Sequence, residues 1–343
     1  MARSTGRTDL ELVTVVICVY NAGDLLRPSV ESILNQTYSN LEVLVVDDGS
    51  TDDCVSTIDH LHDPRIRILR QENKGKPAAM NYALSELRGE FYAVQDADDL
   101  SLPQRIERQL QCMRDHPEVA AVYCGHELIL DGLHIAPRFA AKDSARCRRD
   151  IAEMRMPAHD PTGMYRVSMV GQFRYDEKLR IAEGYDYILR IGEQFPMMVV
   201  GECLYAYRVN REGLTKRDPI ARQKLLRDAS RKMFERRGLP YDESQLPKVS
   251  DPDRITNRDL DDDLVSHFMA STVDLRRAGR WRAAARAAAT CIALHPRDPY
   301  YYRPVLYTVA PLRLIEWYRT RKSNRRAATM ESSPKKPAQV PHR

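Results

Sequence analysis

Two apolar runs in the first hundred residues each end in a cluster of carboxylates, and this pattern constrains the fold more than any other feature of the chain. The runs cover residues 41–46 and 91–95. The acids that follow are Asp47 and Asp48 after the first run and Asp96, Asp98 and Asp99 after the second. Such runs are typical of inner strands of a parallel sheet, and ligands bind at the carboxyl ends of these strands. The clusters therefore predict one crevice lined with hard oxygen ligands, which suits a divalent cation carrying a phosphate group.

The organisation of the chain changes along its length. Up to about residue 120 strand and helix patterns alternate in the rhythm of a doubly wound α/β sheet. Residues 131–155 are charged and irregular and predict a loop region that faces an acceptor. Beyond residue 218 only helical patterns remain, and the Ala-rich segment 281–294 has the spacing of one tetratricopeptide helix. We predict a tail at 1–11, a catalytic domain at 12–216, a helical region at 217–318 and a basic disordered tail at 319–343.

The composition predicts a cytoplasmic protein. Hydrophobic residues make up 43% of the chain and charged residues 29%, as in ordinary globular domains. Seven cysteines are scattered without a C-x-x-C pair, which is typical of core packing in a reducing compartment. No apolar stretch reaches the length of a spanning helix, and the apolar segment 10–20 is too short and too close to acids for a signal peptide.

The C-terminal end is basic. Residues 319–343 contain eight Lys or Arg against a single acid, Glu331. This cluster predicts peripheral contact with anionic lipid at the inner face of a membrane, and a solvated tail that aids solubility is an equal alternative. The preceding segment 305–317 also has two interpretations, a helix lying in a lipid headgroup layer or a last helix packed on the body of the protein.

The acids after the second run form a D-x-D pattern, which places two carboxylates on the same side of an extended loop. Carboxylates bind Mn²⁺ or Mg²⁺, and such a cation neutralises a departing diphosphate as a glycosidic bond breaks. The alternative is a solvated acidic turn that caps a helix, but the presence of Asp47 and Asp48 at the end of another strand favours the metal.

Asp47 and Asp48 offer an acid that could accept a hydrogen bond from a base N–H or from ribose hydroxyls. A helix cap is again the alternative.

Four motifs, taken in order, resemble those of family 2 glycosyltransferases. They are Val16–Asn21, Val45–Asp52, Asn73–Gly75 with Asn81, and Asp96–Asp99. The resemblance covers about residues 12–216 and implies the GT-A fold, with a nucleotide-binding α/β half, a D-x-D metal site and an acceptor half. It also implies inversion of the anomeric carbon in a single displacement. The predicted architecture is thus a GT-A type doubly wound mixed sheet with a helical C-terminal extension.

The resemblance implies a set of nucleotide-sugar-binding residues. Tyr20 and Asn21 match the loop under the nucleotide, and Asp48 matches the acid that reads the base. Lys76 lies where the family often carries a basic residue near the donor. Arg208 resembles part of a loop that closes over the diphosphate, where an arginine suits bidentate phosphate contact, although a surface ion pair is an equal alternative.

The metal ligands and an acceptor-side residue are implied in the same way. Asp96 and Asp98 match the D-x-D. Asp96 is therefore predicted both to contact the nucleotide sugar and to bind the metal. Asp98 is the preferred metal ligand, and Asp99 is a second candidate. His159 lies where relatives often have a histidine on the acceptor side, but a lone histidine is more often structural.

The general base is the point at which the chain departs from the family pattern. The family places this base in a Glu-Asp pair that opens a late helix, and Gly184 stands where the catalytic Asp is expected. Glu183 or Asp186 must then take the proton, or the chain is inactive. The two acids are three residues apart on a helix and share a face. We favour Asp186, because first-turn acids such as Glu183 are often only caps.

The leading hypothesis is a metal-dependent inverting glycosyltransferase that moves a sugar from a nucleoside diphosphate donor, a UDP-sugar before others, to an acceptor hydroxyl. The acceptor is predicted to be a glycan or a lipid-linked glycan in polysaccharide, glycolipid or cell-envelope synthesis, with no nucleic acid partner. The alternative is a catalytically impaired relative that binds nucleotide sugars or serves as a scaffold, and the glycine at position 184 motivates it.

Overall fold

The computed structural model describes residues 11–130, 133–135, 140–209, 219–242 and 279–315, with residue 317 and several positions between 265 and 277. The chain divides into two compact units, Met1–Asp261 and Asp262–Arg343. The first unit therefore extends beyond the boundary predicted after residue 216, because the helix that begins at Pro219 packs within this unit.

The first unit is built on a mixed sheet, which has nine strands in its described residues. In chain order these are β1 (Val13–Val19), β2 (Leu41–Asp47), β3 (Ile66–Arg70), β4 (Phe91–Asp96), β5 (Leu100–Ser101), β6 (Ala121–Leu130), β7 (Leu133–Ile135), β8 (Met164–Arg166) and β9 (Met197–Arg208). The order across the sheet is β3-β2-β1-β4-β8-β6-β9-β5, and β7 pairs with β6. Strands β1 to β4 are parallel, whereas β8 runs antiparallel to β4 and β6. The predicted doubly wound mixed sheet is confirmed.

Helices cover both faces of this sheet. They are α1 (Leu26–Leu34), α2 (Ser56–Asp59), α3 (Lys76–Ser85), α4 (Arg105–Asp115), α5 (Ser144–Ala152), α6 (Val167–Val170), α7 (Glu183–Gln194) and α8 (Pro219–Arg236). Strand β1 shows how one sequence serves two core layers, because successive side chains of a strand point to opposite faces. Val15 and Ile17 pack in the layer of α1 and α4, whereas Val16 packs in the layer of α3 and α7.

The structure differs from the sequence expectations in three segments. The predicted loop region 131–155 contains β7 and α5. The start signal Ser50-Thr51-Asp52, with an acid in the first turn, predicts a helix toward Leu61, but the observed helix is only α2. Strand β9 continues to Arg208, although residues from Tyr205 onward suggested a loop, because β9 pairs along the length of β6. The extension of β9 arises from pairing with a strand distant in the sequence, which local patterns do not encode.

In the second unit the described residues include α9 (Trp281–Leu294) and α10 (Arg303–Val309). The helix predicted over 281–294 is confirmed. Arg276 is buried and donates from Nη1 to the carbonyls of Tyr307 at 2.7 Å and Ala310 at 2.6 Å. Among the described residues, none of the helices is both long and apolar enough to cross a lipid bilayer. The predicted basic tail at 319–343 lies outside the described residues.

Candidate active site

The carboxyl ends of β1, β2 and β4 meet at one edge of the sheet. Across the central strand β1, Val19 pairs with Asp47 on one side and Cys18 pairs with Asp96 on the other. The backbone N–H of Asp48 donates to the Val19 carbonyl at 2.8 Å. Parallel pairing thus brings the two acid clusters to either side of one strand end, as predicted, and a ligand-binding crevice between them stays a prediction.

The loop after β1 is fastened to the loop after β2 by Asn21. Its Oδ1 accepts from the backbone N–H groups of Thr51 at 2.7 Å and Asp52 at 3.3 Å, and its own N–H donates to Ser50 Oγ at 3.1 Å. Asn21 has a φ of 52°, a left-handed conformation that asparagine tolerates better than most residues. The neighbouring Tyr20 is 51% exposed, so its ring is open to a ligand at this edge.

Asp48 fixes the loop that leads into α3. Its Oδ1 accepts from Gln71 Nε2 at 2.7 Å and from the backbone N–H of Lys74 at 2.9 Å, and its Oδ2 accepts from Gly75 N–H at 2.8 Å. Gly75 has a φ of 92°, which side-chain-bearing residues rarely adopt. The buried Asp48 carboxylate therefore orients the turn that delivers Lys76 to the site. Its role in reading a base stays a prediction.

Lys76 lies among three carboxylates from different parts of the fold. Its Nζ donates to Asp96 Oδ1 at 2.6 Å and lies 4.0 Å from Glu183 Oε1. Asp160 also acts on it electrostatically. These side chains come from the start of α3, the end of β4, the start of α7 and the loop before β8, so the tertiary structure alone assembles the cluster.

The charges in this cluster shift one another's protonation. Burial alone would lower the pKa of Lys76, but the three carboxylates outweigh it and hold this pKa well above its ordinary value. Burial acts to raise the pKa of Asp96, but the adjacent ammonium brings it below the ordinary value. Burial raises the pKa of Asp160 to about 6 and that of Glu183 to about 7. The cluster thus holds one firmly ionised ion pair and two carboxyl groups that bind protons near neutral pH.

The three acids of the D-x-D segment have different environments. Asp99 is fully buried, and its oxygens accept from Tyr205 Oη at 2.8 Å and from the backbone N–H of Arg208 at 2.7 Å. Asp98 is only partly buried, and no ion pair to its carboxylate occurs within the described ranges. Asp98 as the preferred metal ligand and Asp99 as the second candidate both stay predictions; in the structure the Asp99 carboxylate joins this loop to β9.

The carboxylate oxygens at this edge suit Mn²⁺ or Mg²⁺ when substrate phosphates supply the remaining metal ligands. Burial, and then the charge of Asp96, raise the pKa of Asp98, so a cation beside Asp98 would relieve a real electrostatic cost. Within the described residues no group of three or more His, Cys, Asp or Glu side chains is arranged to hold a metal ion. Mg²⁺ is commonly held by one or two carboxylates plus substrate phosphates. The observed arrangement corresponds to that mode rather than to an all-protein cage.

Arg208 lies over the D-x-D loop. Its Nε donates to the backbone carbonyl of Asp98 at 2.9 Å, which places a fixed positive charge beside the predicted metal ligand. His159 packs between His126 and Tyr207, with ring centroids 4.9 Å and 5.0 Å apart. The family resemblance also implies that Thr215 belongs to the closing loop that contains Arg208, and Thr215 lies outside the described residues.

The preference for Asp186 as general base is not supported by the geometry. Asp186 is 2% exposed, and its two oxygens accept from Arg190 Nε at 2.7 Å and Arg236 Nη1 at 3.2 Å. It therefore joins α7 to α8, while Glu183 one turn earlier faces Lys76. Asp186 thus forms ion pairs with two arginines, Arg190 and Arg236. Of the two acids predicted, only Glu183 therefore lies beside Lys76, and the identity of the general base stays a prediction.

Sequence reasoning missed Arg105, which is completely buried beneath the site. Its guanidinium donates to acceptors on several elements: Gln95 Oε1 at 3.0 Å, Ser101 Oγ at 2.9 Å, Gln109 Oε1 at 3.1 Å, and the carbonyls of Val94 and Pro161 at 2.8 Å each. The only hint in the sequence is an arginine that falls within the apolar face of α4. Arg105 links the end of β4 to the loop that carries Asp160.

Replacing Glu183 by glutamine should change how stability depends on pH. The pKa of Glu183 is raised in the folded protein, so ionising this side chain lowers the free energy of unfolding. This loss is absent below about pH 4, where Glu183 is protonated in both states, and complete above about pH 7. Relative to Glu183→Gln, the wild type should lose about 3 kcal/mol of unfolding free energy between about pH 4 and about pH 8. Denaturant unfolding of both proteins across this range measures it, and a difference that does not vary with pH would contradict it.

The fold and the acid clusters at the strand ends define a mixed α/β protein with polar strand ends at one edge of its sheet, and the comparisons identify its family. A family model described as glycosyl transferase family 2 matches residues 14–170. An uncharacterised glycosyltransferase of Methanocaldococcus jannaschii is 30% identical over 230 residues, which are 64% of this chain and 78% of that protein. The chain belongs to glycosyl transferase family 2, and it is a glycosyltransferase.

Two solved structures share the fold. S. aureus TarS 1–349 in complex with UDP-GlcNAc has a TM-score of 0.56 at 18% identity, covering 80% of this chain and 83% of that chain. The mannosyltransferase PcManGT from Pyrobaculum calidifontis, in complex with GDP-Man and Mn²⁺, has a TM-score of 0.51 at 22% identity, covering 87% and 85%. Other relatives are matched over less of their length: with two of them the chain aligns over only 37% and 36% of the relative.

Proposed function

We propose that the protein is a metal-dependent, inverting glycosyltransferase that moves a sugar from a nucleoside diphosphate donor to an acceptor hydroxyl. The observation that carries this proposal is the convergence of Asp48, Lys76, Asp96 and Asp98 at one edge of the sheet, next to the exposed ring of Tyr20. TarS binds UDP-GlcNAc and PcManGT binds GDP-Man with Mn²⁺, which supports a nucleotide-sugar donor and a divalent cation. A UDP-sugar is our first candidate.

In the proposed reaction the acceptor oxygen attacks the anomeric carbon from the face opposite the diphosphate. The bond from that carbon to the diphosphate oxygen breaks, and its electron pair leaves with the diphosphate. The acceptor proton passes to a carboxylate, which must be unprotonated and within hydrogen-bond reach. This single displacement inverts the anomeric configuration.

The chain's own residues prepare the leaving group. Lys76 and Arg208 bring positive charge to the crevice, held in place by Asp96 and by the Asp98 carbonyl respectively. Asp98, with Asp96 beside it, would hold Mn²⁺ or Mg²⁺ together with the donor phosphates. When bound, that cation supplies Lewis-acid neutralisation of the diphosphate. Asp99 keeps the segment in place through its hydrogen bonds to β9.

We place this activity in the cytoplasm, at the inner face of a membrane, in the assembly of a cell-envelope polysaccharide or glycolipid. All seven cysteines are free, which supports a reducing compartment.

In the second unit Leu306, Val309, Leu314 and Trp317 are more than half exposed, which supports peripheral contact of this apolar segment with lipid. Co-sedimentation with vesicles of anionic lipid tests the contact, and a protein that stays in the supernatant contradicts it.

A donor panel tests the activity. The wild type is incubated with UDP-glucose, UDP-galactose, UDP-GlcNAc and GDP-mannose, with Mn²⁺ or with chelator, and release of nucleoside diphosphate is measured. We expect release from at least one donor, dependent on the metal, and at least about 100-fold slower in Lys76→Met because the ammonium that faces the donor is lost.

Lys74→Met is the matched control for that variant. Lys74 is exposed and only two residues away, so its substitution should leave release within about threefold of the wild type. Release from none of the donors would contradict the proposed function. Equal rates with metal and with chelator would contradict the metal dependence alone.

A further inference from the structure

The space beside Gly184 is filled by the carboxylate of Asp160. A Cβ atom built on Gly184 would lie 2.1 Å from Asp160 Oδ2 and 2.4 Å from its Cγ, distances that real atoms do not reach. Position 184 is where the family resemblance places the catalytic Asp. The chain therefore lacks a carboxylate on the helix at this position but holds one from another segment directly against it.

The segment that carries Asp160 is held firmly. Arg105 Nη2 donates to the Pro161 carbonyl at 2.8 Å, and Gln109 Nε2 donates to the Thr162 carbonyl at 2.8 Å. The Gly163 N–H donates to the Asp160 carbonyl at 3.0 Å, and the Gly163 carbonyl accepts from β4 at 3.0 Å. A fully buried arginine and glutamine thus fix the backbone on which the carboxylate stands.

The Asp160 carboxylate also retains capacity for a proton. Its Oδ1 is enclosed and accepts no hydrogen bond from the described residues, and the same holds for Glu183 Oε2 beside it. Asp160 as a residue remains partly exposed, whereas Glu183 and Asp186 are 8% and 2% exposed. Lys76 provides the positive charge that allows a carboxylate to ionise at this place. Asp160 therefore combines a carboxylate oxygen without a hydrogen-bond donor among the described residues, a fixed backbone and partial exposure of the residue as a whole.

We propose that Asp160 is the general base of this glycosyltransferase, supplied from the loop before β8 in place of a side chain at position 184. The inference rests on the proposed function. In the displacement the proton of the acceptor hydroxyl moves to the Asp160 carboxylate as the oxygen forms its bond to the anomeric carbon. Glu183 then holds the cluster with Lys76, and Asp186 is part of the ion-pair network between α7 and α8.

Two substitutions test this assignment with little change in volume at the site. Asp160→Asn keeps the shape but cannot take a proton, and should lower kcat by about 10²- to 10⁴-fold while the donor dissociation constant stays within about threefold. The double variant Asp160→Gly with Gly184→Asp moves the carboxylate back to the helix. It should turn over at least about tenfold faster than Asp160→Gly alone. Asp59→Asn, an exposed carboxylate on α2, serves as control and should match the wild type.

The stability of the single variant Gly184→Asp gives an independent readout. Because its Cβ would overlap the Asp160 carboxylate, its melting temperature should fall, and Asp160→Gly in the same chain should restore it. If the wild type turns over and Asp160→Asn turns over at the same rate, the assignment of Asp160 as base is wrong, while the proposed function stands. The same conclusion follows if the double variant folds and binds donor but turns over no faster than Asp160→Gly. Loss in Glu183→Gln with retention in Asp160→Asn would assign the base to Glu183. Failure of the wild type to bind any donor would instead reject the proposed function.

Discussion

Replacing Asp98 by alanine should lower kcat for sugar transfer by about 10³-fold, which corresponds to about 4 kcal/mol of transition-state stabilisation. The Asp98 carboxylate lies in an environment where burial and the neighbouring Asp96 charge disfavour its ionised form. A divalent cation offsets this cost and is the group that would neutralise the departing diphosphate. Removal of Asp98 takes away the proposed ligand, and the described residues contain no group of three or more His, Cys, Asp or Glu side chains arranged to hold a metal ion in its place.

The measurement combines turnover with metal binding. Mn²⁺ titration in the presence of UDP, followed by calorimetry, should show weakened binding in Asp98→Ala, and turnover should fall in parallel. Asp59→Ala is the control, since that carboxylate is exposed on α2. Turnover within about threefold of the wild type in Asp98→Ala would show that the cation, if used, is held by other groups.

The second large effect concerns stability rather than chemistry. Arg105→Met should destabilise the first unit by about 3–5 kcal/mol, because the acceptors of its five hydrogen bonds are buried and cannot recover water as partner. In a unit of this size such a loss lowers the melting temperature by about 10 °C. The variant also removes the hydrogen bond from Arg105 to the Pro161 carbonyl, which holds the loop that carries Asp160, so turnover should also fall.

Arg108 provides a matched control for Arg105 on the same helix. Its side chain is 49% exposed and lies 3.7 Å from Glu202, an exposed ion pair that contributes about 1 kcal/mol or less. Arg108→Met should therefore shift the melting temperature by only a few degrees at most. Arg105→Lys should recover only part of the loss, because an ammonium cannot reproduce the planar fork of donors. Equal shifts for Arg105→Met and Arg108→Met would contradict this account.

The structural roles of the two acids on α7 illustrate a limit of local pattern. Spacing placed Glu183 and Asp186 on one helix face, and cap statistics favoured Asp186 as base. In the structure Glu183 lies beside Lys76 on α3, 107 residues earlier in the sequence, and Asp186 pairs with Arg236 on α8, 50 residues later. No periodicity within α7 encodes partners at that distance. The same holds for Asp99, whose donors come from β9.

The sequence by itself determined the strand-end acid clusters, the parallel α/β order of the first half and the family. Its apolar runs and their terminal carboxylates are local signals, and a parallel sheet has only one edge at which such ends can gather. The tertiary structure alone decided which carboxylates share a site. Lys76, Asp96, Asp160 and Glu183 meet because β4 pairs with β8 and because α7 packs against the same loop. Whether a buried carboxyl binds a proton, a lysine or a cation depends on that three-dimensional neighbourhood, since electrostatic interaction follows distance and burial rather than position along the chain.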